Sequence, residues 1–334
     1  LQRSKKAVPK ASESQDFGRK TVNSELPLIV QCRCNDADYR KENPEVPYSP
    51  QEIIGEAVRA WEAGASVFHW HARDPVSGKW RNDVELYLEV IQGIREKTDL
   101  IINPTLGYTN AENNVQERVG YILAANKDPL LRVDMVALEF GSFNVDYWDS
   151  QAKEFITYDK VYSNSRAHIR DLLKILTEQG VFVACTCWDI GQIRTARYFQ
   201  EMGLLSRNTL WDFIFTGDLM PSSPAPTLPA LQAMIDAIPP GEQWLALCWH
   251  GDAMPLAAWV ITLGGHIGIG LGDWPYTRFG KPHNGEVIEK VVQMAHILGR
   301  EVATPAQARE ILKMPPRPEL PTRKQSNSAY AIAQ

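Results

Sequence analysis

Short apolar runs, several of them rich in β-branched residues, alternate along the chain with longer stretches whose apolar positions recur every three or four residues. The short runs predict eight strands, at Leu28–Cys32, Ser66–His71, Leu100–Asn103, Asp134–Leu138, Val181–Thr186, Trp211–Phe215, Trp244–Cys248 and His266–Leu271. The longer stretches predict a helix after each of them, at roughly residues 51–63, 83–97, 112–125, 163–179, 190–202, 227–238, 253–264 and 284–298. Several runs are continuously apolar rather than alternating, the pattern of parallel strands covered on both faces. Eight βα units in succession predict α/β architecture as a single (β/α)8 TIM barrel. A doubly wound sheet wants a Gly-x-Gly-x-x-Gly turn that opens a helix after an early strand, whereas Gly264-Gly265 precedes a strand.

The barrel is predicted over residues 26–314. Residues 1–25 read as a polar tail and the proline-rich residues 315–334 as a C-terminal tail or arm. The aromatic and polar stretch from Glu139 to about Asp159 predicts an expanded loop after the fourth strand.

Composition narrows the function classes. Lys and Arg number 35 against 40 Asp and Glu, a net charge of −5, which argues against a nucleic-acid partner. No apolar run reaches the ~18 residues of a membrane span. Cys32, Cys34, Cys185, Cys187 and Cys248 are odd in number and sit in apolar runs, so they suggest no disulfide framework and point to a reducing cytoplasm.

In a barrel of this kind the chemistry collects at the C-terminal ends of the strands. Those ends carry Asn35, Asp36 and Asp38; His69 and His71; Asn103 and Thr105; Glu139, Ser142 and Asn144; Thr186 and Asp189; Thr216 and Asp218; His250 and Asp252; and Asp273. The strongest local signal is Phe68-His69-Trp70-His71-Ala72-Arg73-Asp74-Pro75. Histidines at i and i+2 on a strand share a face, so both imidazoles could reach one metal ion, and imidazole suits zinc, iron and nickel. The alternative is a pair of polar residues filling a barrel layer. Arg73-Asp74 reads as an ion pair supporting the second loop, and His266 as a polar strand residue.

The segments Asn35-Asp36-Ala37-Asp38, Pro47-Tyr48-Ser49-Pro50-Gln51-Glu52-Ile53, His69-Trp70-His71-Ala72-Arg73-Asp74-Pro75, Gly141-Ser142-Phe143-Asn144, Gly264 to Asp273 and Leu298 to Pro305 together resemble the β-keto acid cleavage enzyme family. The resemblance implies a zinc-dependent barrel, usually oligomeric and here expected to be a homo-tetramer. It further implies a reaction of a small β-keto acid with acetyl-CoA, giving an acyl-CoA and a new β-keto acid. It places zinc on His69 and His71, a catalytic aspartate at Asp273, donors to the substrate carboxylate at Thr105 and Ser142, and a partner for a substrate amino group at Asp38.

The chain also departs from the family pattern. Gly268 and Gly272 stand where the family has an arginine and a zinc-binding glutamate, and acidic residues of the fifth strand are replaced around Ala184 to Thr186. Asp273, Glu139, His250 or water then become the expected replacements in the metal shell, with Glu139 a reserve ligand or base. Trp70, Trp188, Trp249 and Trp274 stand at strand ends, either as packing or, with Asp38, as an aromatic cage for an amine or quaternary ammonium; Trp249 is the substrate contact expected among them. Two rival readings stay open: a metal-dependent lyase or hydrolase that does not use coenzyme A, and a catalytically weak binding barrel.

Overall fold

The architecture follows from a computed structural model that describes residues 26–106 and 114–315. Both expected tails, apart from Pro315, lie outside the described residues.

Every predicted strand is present, with its ends within two residues of the expected ones. They are β1 (Val30–Arg33), β2 (Val67–Trp70), β3 (Ile101–Pro104), β4 (Met135–Glu139), β5 (Phe182–Cys187), β6 (Leu210–Thr216), β7 (Gln243–Trp249) and β8 (His266–Ile269). They hydrogen-bond in the order β3-β2-β1-β8-β7-β6-β5-β4, each neighbouring pair parallel. The sheet thus curls into a nearly closed barrel whose seam lies between β3 and β4. A side chain bridges that seam: Asp134, just before β4, accepts from the backbone N–H of Ile102 at 2.8 Å and from the Arg95 guanidinium at 2.7 Å.

The eight expected helices are α1 (Pro50–Glu62), α2 (Val84–Lys97), α3 (Val115–Ala125), α4 (Arg166–Glu178), α5 (Ile190–Glu201), α6 (Leu228–Ala237), α7 (Met254–Leu263) and α8 (Asn284–Ile297). Their starts are written in the sequence. Ser49, Asp83, Asn114, Ser165, Asp189 and Thr227 each accept a backbone N–H of the first turn, which satisfies donors that the helix itself leaves unpaired.

A ninth helix, α9 (Pro305–Ile311), was not among the expected elements, although Thr304-Pro305-Ala306-Gln307 spells a capping box with proline at the first position. It closes the N-terminal end of the barrel. Ala303, Ala308, Leu312 and Met314 pack with Ile29, Val67, Ile101, Met135, Leu210 and Leu245, residues drawn from β1 or its approach and from five other strands. The segment before α9 is anchored by Leu28, whose N–H donates to Glu301 O at 2.7 Å and whose carbonyl accepts from Ala303 N at 2.9 Å.

The period of two along each strand then carries the interior upward from this plug. Above Ile29, Val67, Ile101, Met135 and Leu210 come Gln31, His69, Asn103, Ala137 and Asp212, and above these Arg33, His71, Thr105, Glu139 and Ile214. The expanded loop after β4 folds as two short antiparallel pairs, Phe143–Asn144 with Val161–Tyr162 and Trp148–Asp149 with Glu154–Phe155. Among the described residues no helix is long and apolar enough to cross a membrane.

Candidate active site at the barrel mouth

Asp36, His69 and His71 converge at the C-terminal end of β1 and β2, with one ligand atom of each within 4.8 Å of the others. Both imidazole Nε2 atoms lie 3.3 Å from the same carboxylate oxygen, Asp36 Oδ1. All three side chains are buried. Burial lowers the pKa of both histidines, against the pull of Asp36, and takes His71 down to about 4, so the rings are neutral as metal ligands must be. Burial opposes charge on Asp36 too, but Arg33 and the two imidazoles outweigh it and hold the carboxyl well below its ordinary range. A carboxylate oxygen and two neutral imidazole nitrogens aimed at one point are a donor set that fits a divalent transition metal.

Backbone packing explains why the third donor is Asp36. The turn after β1 lies against the end of β8: Ala37 N donates to Gly272 O at 2.7 Å and Gly272 N to Arg33 O at 2.9 Å. A Cβ at residue 272 would stand 2.4 Å from Asp36 N and 2.7 Å from Asn35 N. No glutamate fits there without moving the turn. The carboxylate missing from strand eight is thus supplied from strand one, through space that glycine leaves open.

Neighbours hold the turn in place. Asn35 Oδ1 accepts from His71 N at 2.8 Å, and its amide donates to Pro47 O and His71 O. Arg73 donates to Asn35 O and Asp36 O at 2.6–2.8 Å. Its guanidinium therefore clamps the Asp36 turn instead of forming the expected pair with Asp74, which is held by Ser77 and Arg81. Trp80 stacks on His71 at 4.9 Å between ring centroids and donates its indole N–H to Asp36 O at 2.9 Å.

Arg33, at the end of β1, supplies the cation. It pairs with Asp36 and, through Nε at 3.4 Å, with Asp273. Although burial opposes its charge, Asp36, Asp273 and Asp212 together hold the guanidinium firmly protonated. The positive charge absent at Gly268 is therefore present one strand away, beside the same aspartate.

The cavity above the cluster is lined by Arg33, Asp36, His69, His71, Trp80, Thr105, Ala137, Glu139, Phe143, Val145, Tyr162, Thr186, Trp188, Asp212, Ile214 and Trp249. Thr105, Glu139 and Trp249 are thus gathered there with the two histidines. Glu139 accepts from the Tyr162 hydroxyl at 3.0 Å and lies 3.8 Å from the Arg118 guanidinium.

Three other expected residues are placed elsewhere. Asp38 is exposed and takes the Tyr48 hydroxyl, because the turn that brings Asp36 inward sends Asp38 outward. Ser142 is exposed, and its Oγ accepts from Asn164 N at 2.8 Å, which fixes the base of the loop. Asp273 is fully enclosed behind Arg33 and lines no part of the cavity, and burial pushes its carboxyl well above the ordinary range against the pull of Arg33.

Neither Asp273, Glu139 nor His250 joins the metal-ligand group among the described residues. His250 takes a left-handed backbone, φ 55°, and its ring faces Tyr39 Oη at 2.6 Å and Tyr147 Oη at 3.4 Å. It ties the β1 loop to the β4 insertion. The aromatic cage is likewise not assembled as expected: Trp188 and Trp249 face the cavity, while Trp70 is buried in the main apolar core, Trp274 packs on Tyr39, and neither Trp274 nor Asp38 lines the cavity. His266 is the polar strand residue expected, accepting Ile29 N at Nδ1 and facing Gln243 at Nε2.

Sequence reasoning passed over Asp212 and Arg33. Each left a trace, as a single charged residue inside or ending an otherwise apolar strand.

Residues 27–314 match the family model of beta-keto acid cleavage enzymes. The chain is 33% identical to 3-keto-5-aminohexanoate cleavage enzyme of Fusobacterium nucleatum, over 86% of this chain and 98% of that one. It is 26% identical to 3-dehydrocarnitine:acetyl-CoA trimethylamine transferase of Rhizobium meliloti, over 86% and 96% of the two chains. Among solved structures, apo ObcA superposes with a TM-score of 0.62 at 14% identity, covering 81% of this chain and 66% of that one, a likeness of fold.

Proposed function

Because the chain belongs to the β-keto acid cleavage enzyme family, we propose that it reacts a small β-keto acid with acetyl-CoA, giving an acyl-CoA and a new β-keto acid. The observation that carries this reading is the convergence of Asp36, His69 and His71 on the lining of one cavity. Zinc is the metal this nitrogen and oxygen donor set suits best in a site of three protein ligands with positions left for substrate. Bound there, such a cation supplies Lewis acidity to the keto and carboxylate oxygens of the substrate.

The chain's own residues supply orientation and exclusion of water. Thr105 and Arg33 face the cavity and are assigned to the substrate carboxylate, Thr105 by its hydroxyl and Arg33 by its charge. Asp273 is assigned to positioning Arg33, which it contacts from behind. Trp80, Trp188 and Trp249 wall the site, and a water-poor wall strengthens every polar contact inside it. Glu139, held by Tyr162, is assigned a substrate contact. A homo-oligomer, a tetramer by family likeness, and a reducing cytoplasmic setting for five buried thiols complete the reading.

The test is metal analysis of protein purified without chelator, together with a thioester-exchange assay on a panel of β-keto acids with acetyl-CoA. Bound zinc near one per chain and acyl-CoA formation are expected. Keto-acid turnover that proceeds equally without acetyl-CoA would replace this reading with a lyase, and tight binding of a keto acid without turnover or metal would replace it with a binding protein.

A further inference from the structure

Of the four carboxylates gathered around Arg33 and the cavity, two are already committed, and a third, Asp273, keeps an unpaired Oδ2 but does not line the cavity. Asp36 Oδ1 faces two imidazoles and its other oxygen takes Arg33. Glu139 is held by Tyr162 beside Arg118. Asp273 lies behind Arg33, off the cavity wall. The fourth is Asp212, in the middle of β6. It is 2% exposed, it lines the cavity, and of its two oxygens Oδ2 accepts from Thr186 Oγ1 at 3.2 Å while Oδ1 has no partner. A buried, unpaired carboxylate oxygen carries a substantial free-energy cost, on the order of 1–3 kcal/mol or more, and such a cost is retained where function needs the group.

From this geometry we propose that Asp212 is the catalytic base that removes a proton from the carbon between the keto and carboxyl groups of the β-keto acid, and that it later returns that proton. The inference rests on the reaction proposed above. In the first step the C–H bond breaks, an O–H bond forms at Asp212 Oδ1, and the C–H electron pair passes into the enolate. The enolate carbon then bonds to the acetyl carbonyl carbon of acetyl-CoA, and the C–S electron pair leaves with the coenzyme A thiolate. That thiolate adds to the original keto carbon. The bond between this carbon and the former enolate carbon breaks, releasing an acyl-CoA and the enolate of the new β-keto acid. Asp212 hands its proton back to that carbon, so the carboxyl ends the cycle as it began and no oxidant or reductant is consumed.

The surroundings suit a carboxyl that must both take and give a proton. Across the strand pairs Asp212 meets Thr186 on β5 and Leu245 on β7. The charged groups that act on it are Arg33 from β1, which favours its ionised form, and Asp36 and Glu139, which oppose it; Asp273 stands behind Arg33. Burial dominates and pushes the Asp212 carboxyl up to about 6. A base with that value is ionised in most molecules at neutral pH, and its conjugate acid is strong enough to reprotonate an enolate.

The experiment uses full-length protein loaded with Zn2+, with 3-keto-5-aminohexanoate and acetoacetate as probes. One arm follows deuterium uptake from D2O into the methylene of each probe without acetyl-CoA, after subtraction of the uncatalysed rate. The other follows acyl-CoA formation from 3-keto-5-aminohexanoate with acetyl-CoA, because acetoacetate would only regenerate acetyl-CoA and acetoacetate. Wild type is compared with Asp212→Asn and Asp212→Glu, and zinc content and thermal midpoint are read for each.

In Asp212→Asn we expect unchanged zinc content, a cooperative thermal transition, and exchange and kcat both lower by about 10²–10⁴-fold. The rise of wild-type kcat/KM with pH through about 6 is expected to vanish in this variant, and Asp212→Glu to recover part of the rate. Exchange by wild type without acyl-CoA formation would remove the acetyl-CoA reading and leave the base assignment standing on the loss of exchange in Asp212→Asn. An Asp212→Asn protein that exchanges and turns over within a few-fold of wild type overturns the assignment, as does the absence of both activities in wild type.

Discussion

The two ends of the barrel interior are built from the same strands and differ in almost every other respect. At the N-terminal end Ile29, Val67, Ile101, Met135, Leu210 and Leu245 meet Leu312 and Met314 beneath α9 in an apolar plug. Two to four residues further along the same strands stand Arg33, His69, His71, Thr105, Glu139 and Asp212, the last with a buried carboxylate oxygen that has no partner. The plug releases free energy by removing apolar surface from water, and the mouth spends part of it holding charge and unpaired polar atoms in a place poor in solvent. Stability and chemistry are thus separated along each strand by one or two side-chain repeats on the inner face.

Substitutions at the two ends should therefore separate cleanly. The largest effect is expected for Asp36→Ala and His69→Ala, in which bound metal falls to background while the barrel still unfolds cooperatively; near-stoichiometric zinc in the dialysed variants would remove the site. Next comes Leu312→Ala in the plug, expected to cost ~2–5 kcal/mol in a denaturant titration with zinc content unchanged. Loss of metal in that variant would show that the two ends are coupled.

Acid should act through His266, near the plug. Burial, with a smaller push from Arg300, lowers its pKa to about 3, whereas in the unfolded chain it titrates near its ordinary value of 6.5. Between these values the unfolded chain binds the extra proton. The stability contributed by the neutral ring is therefore full above pH 6.5 and is lost as pH falls toward 3. Unfolding midpoints measured across that window in chelator should fall less steeply in His266→Gln, and equal slopes would assign the acid lability to other groups. The smallest effect is expected for Thr304→Ala, which removes the α9 cap at a cost of about 1 kcal/mol; a shift above about 3 kcal/mol would mean that the cap also holds the plug in place.

The strands, the first eight helices and the inward pair His69 and His71 were legible because each depends on local periodicity. Thr105, Glu139 and Trp249 were reached by another route, as residues at the C-terminal ends of strands. Where a residue lies beyond its strand, periodicity stops helping: Asp36 and Asp38 are two apart in one short turn, yet one joins the two histidines and the other, exposed, takes the Tyr48 hydroxyl.

What the sequence by itself determined about this protein is the order of eight βα units, the face on which each strand residue falls, and the shared face of two histidines. Only the tertiary structure decided that the carboxylate beside the two histidines is Asp36, that the cation beside Asp273 is Arg33, and that Asp212, on the cavity wall, keeps an oxygen without a partner. The physical reason is that these depend on how closely backbones approach across the barrel. The space left at Gly272 admits the β1 turn to within 2.4 Å of where a Cβ would stand, a contact between residues more than two hundred positions apart in the chain that no local pattern encodes.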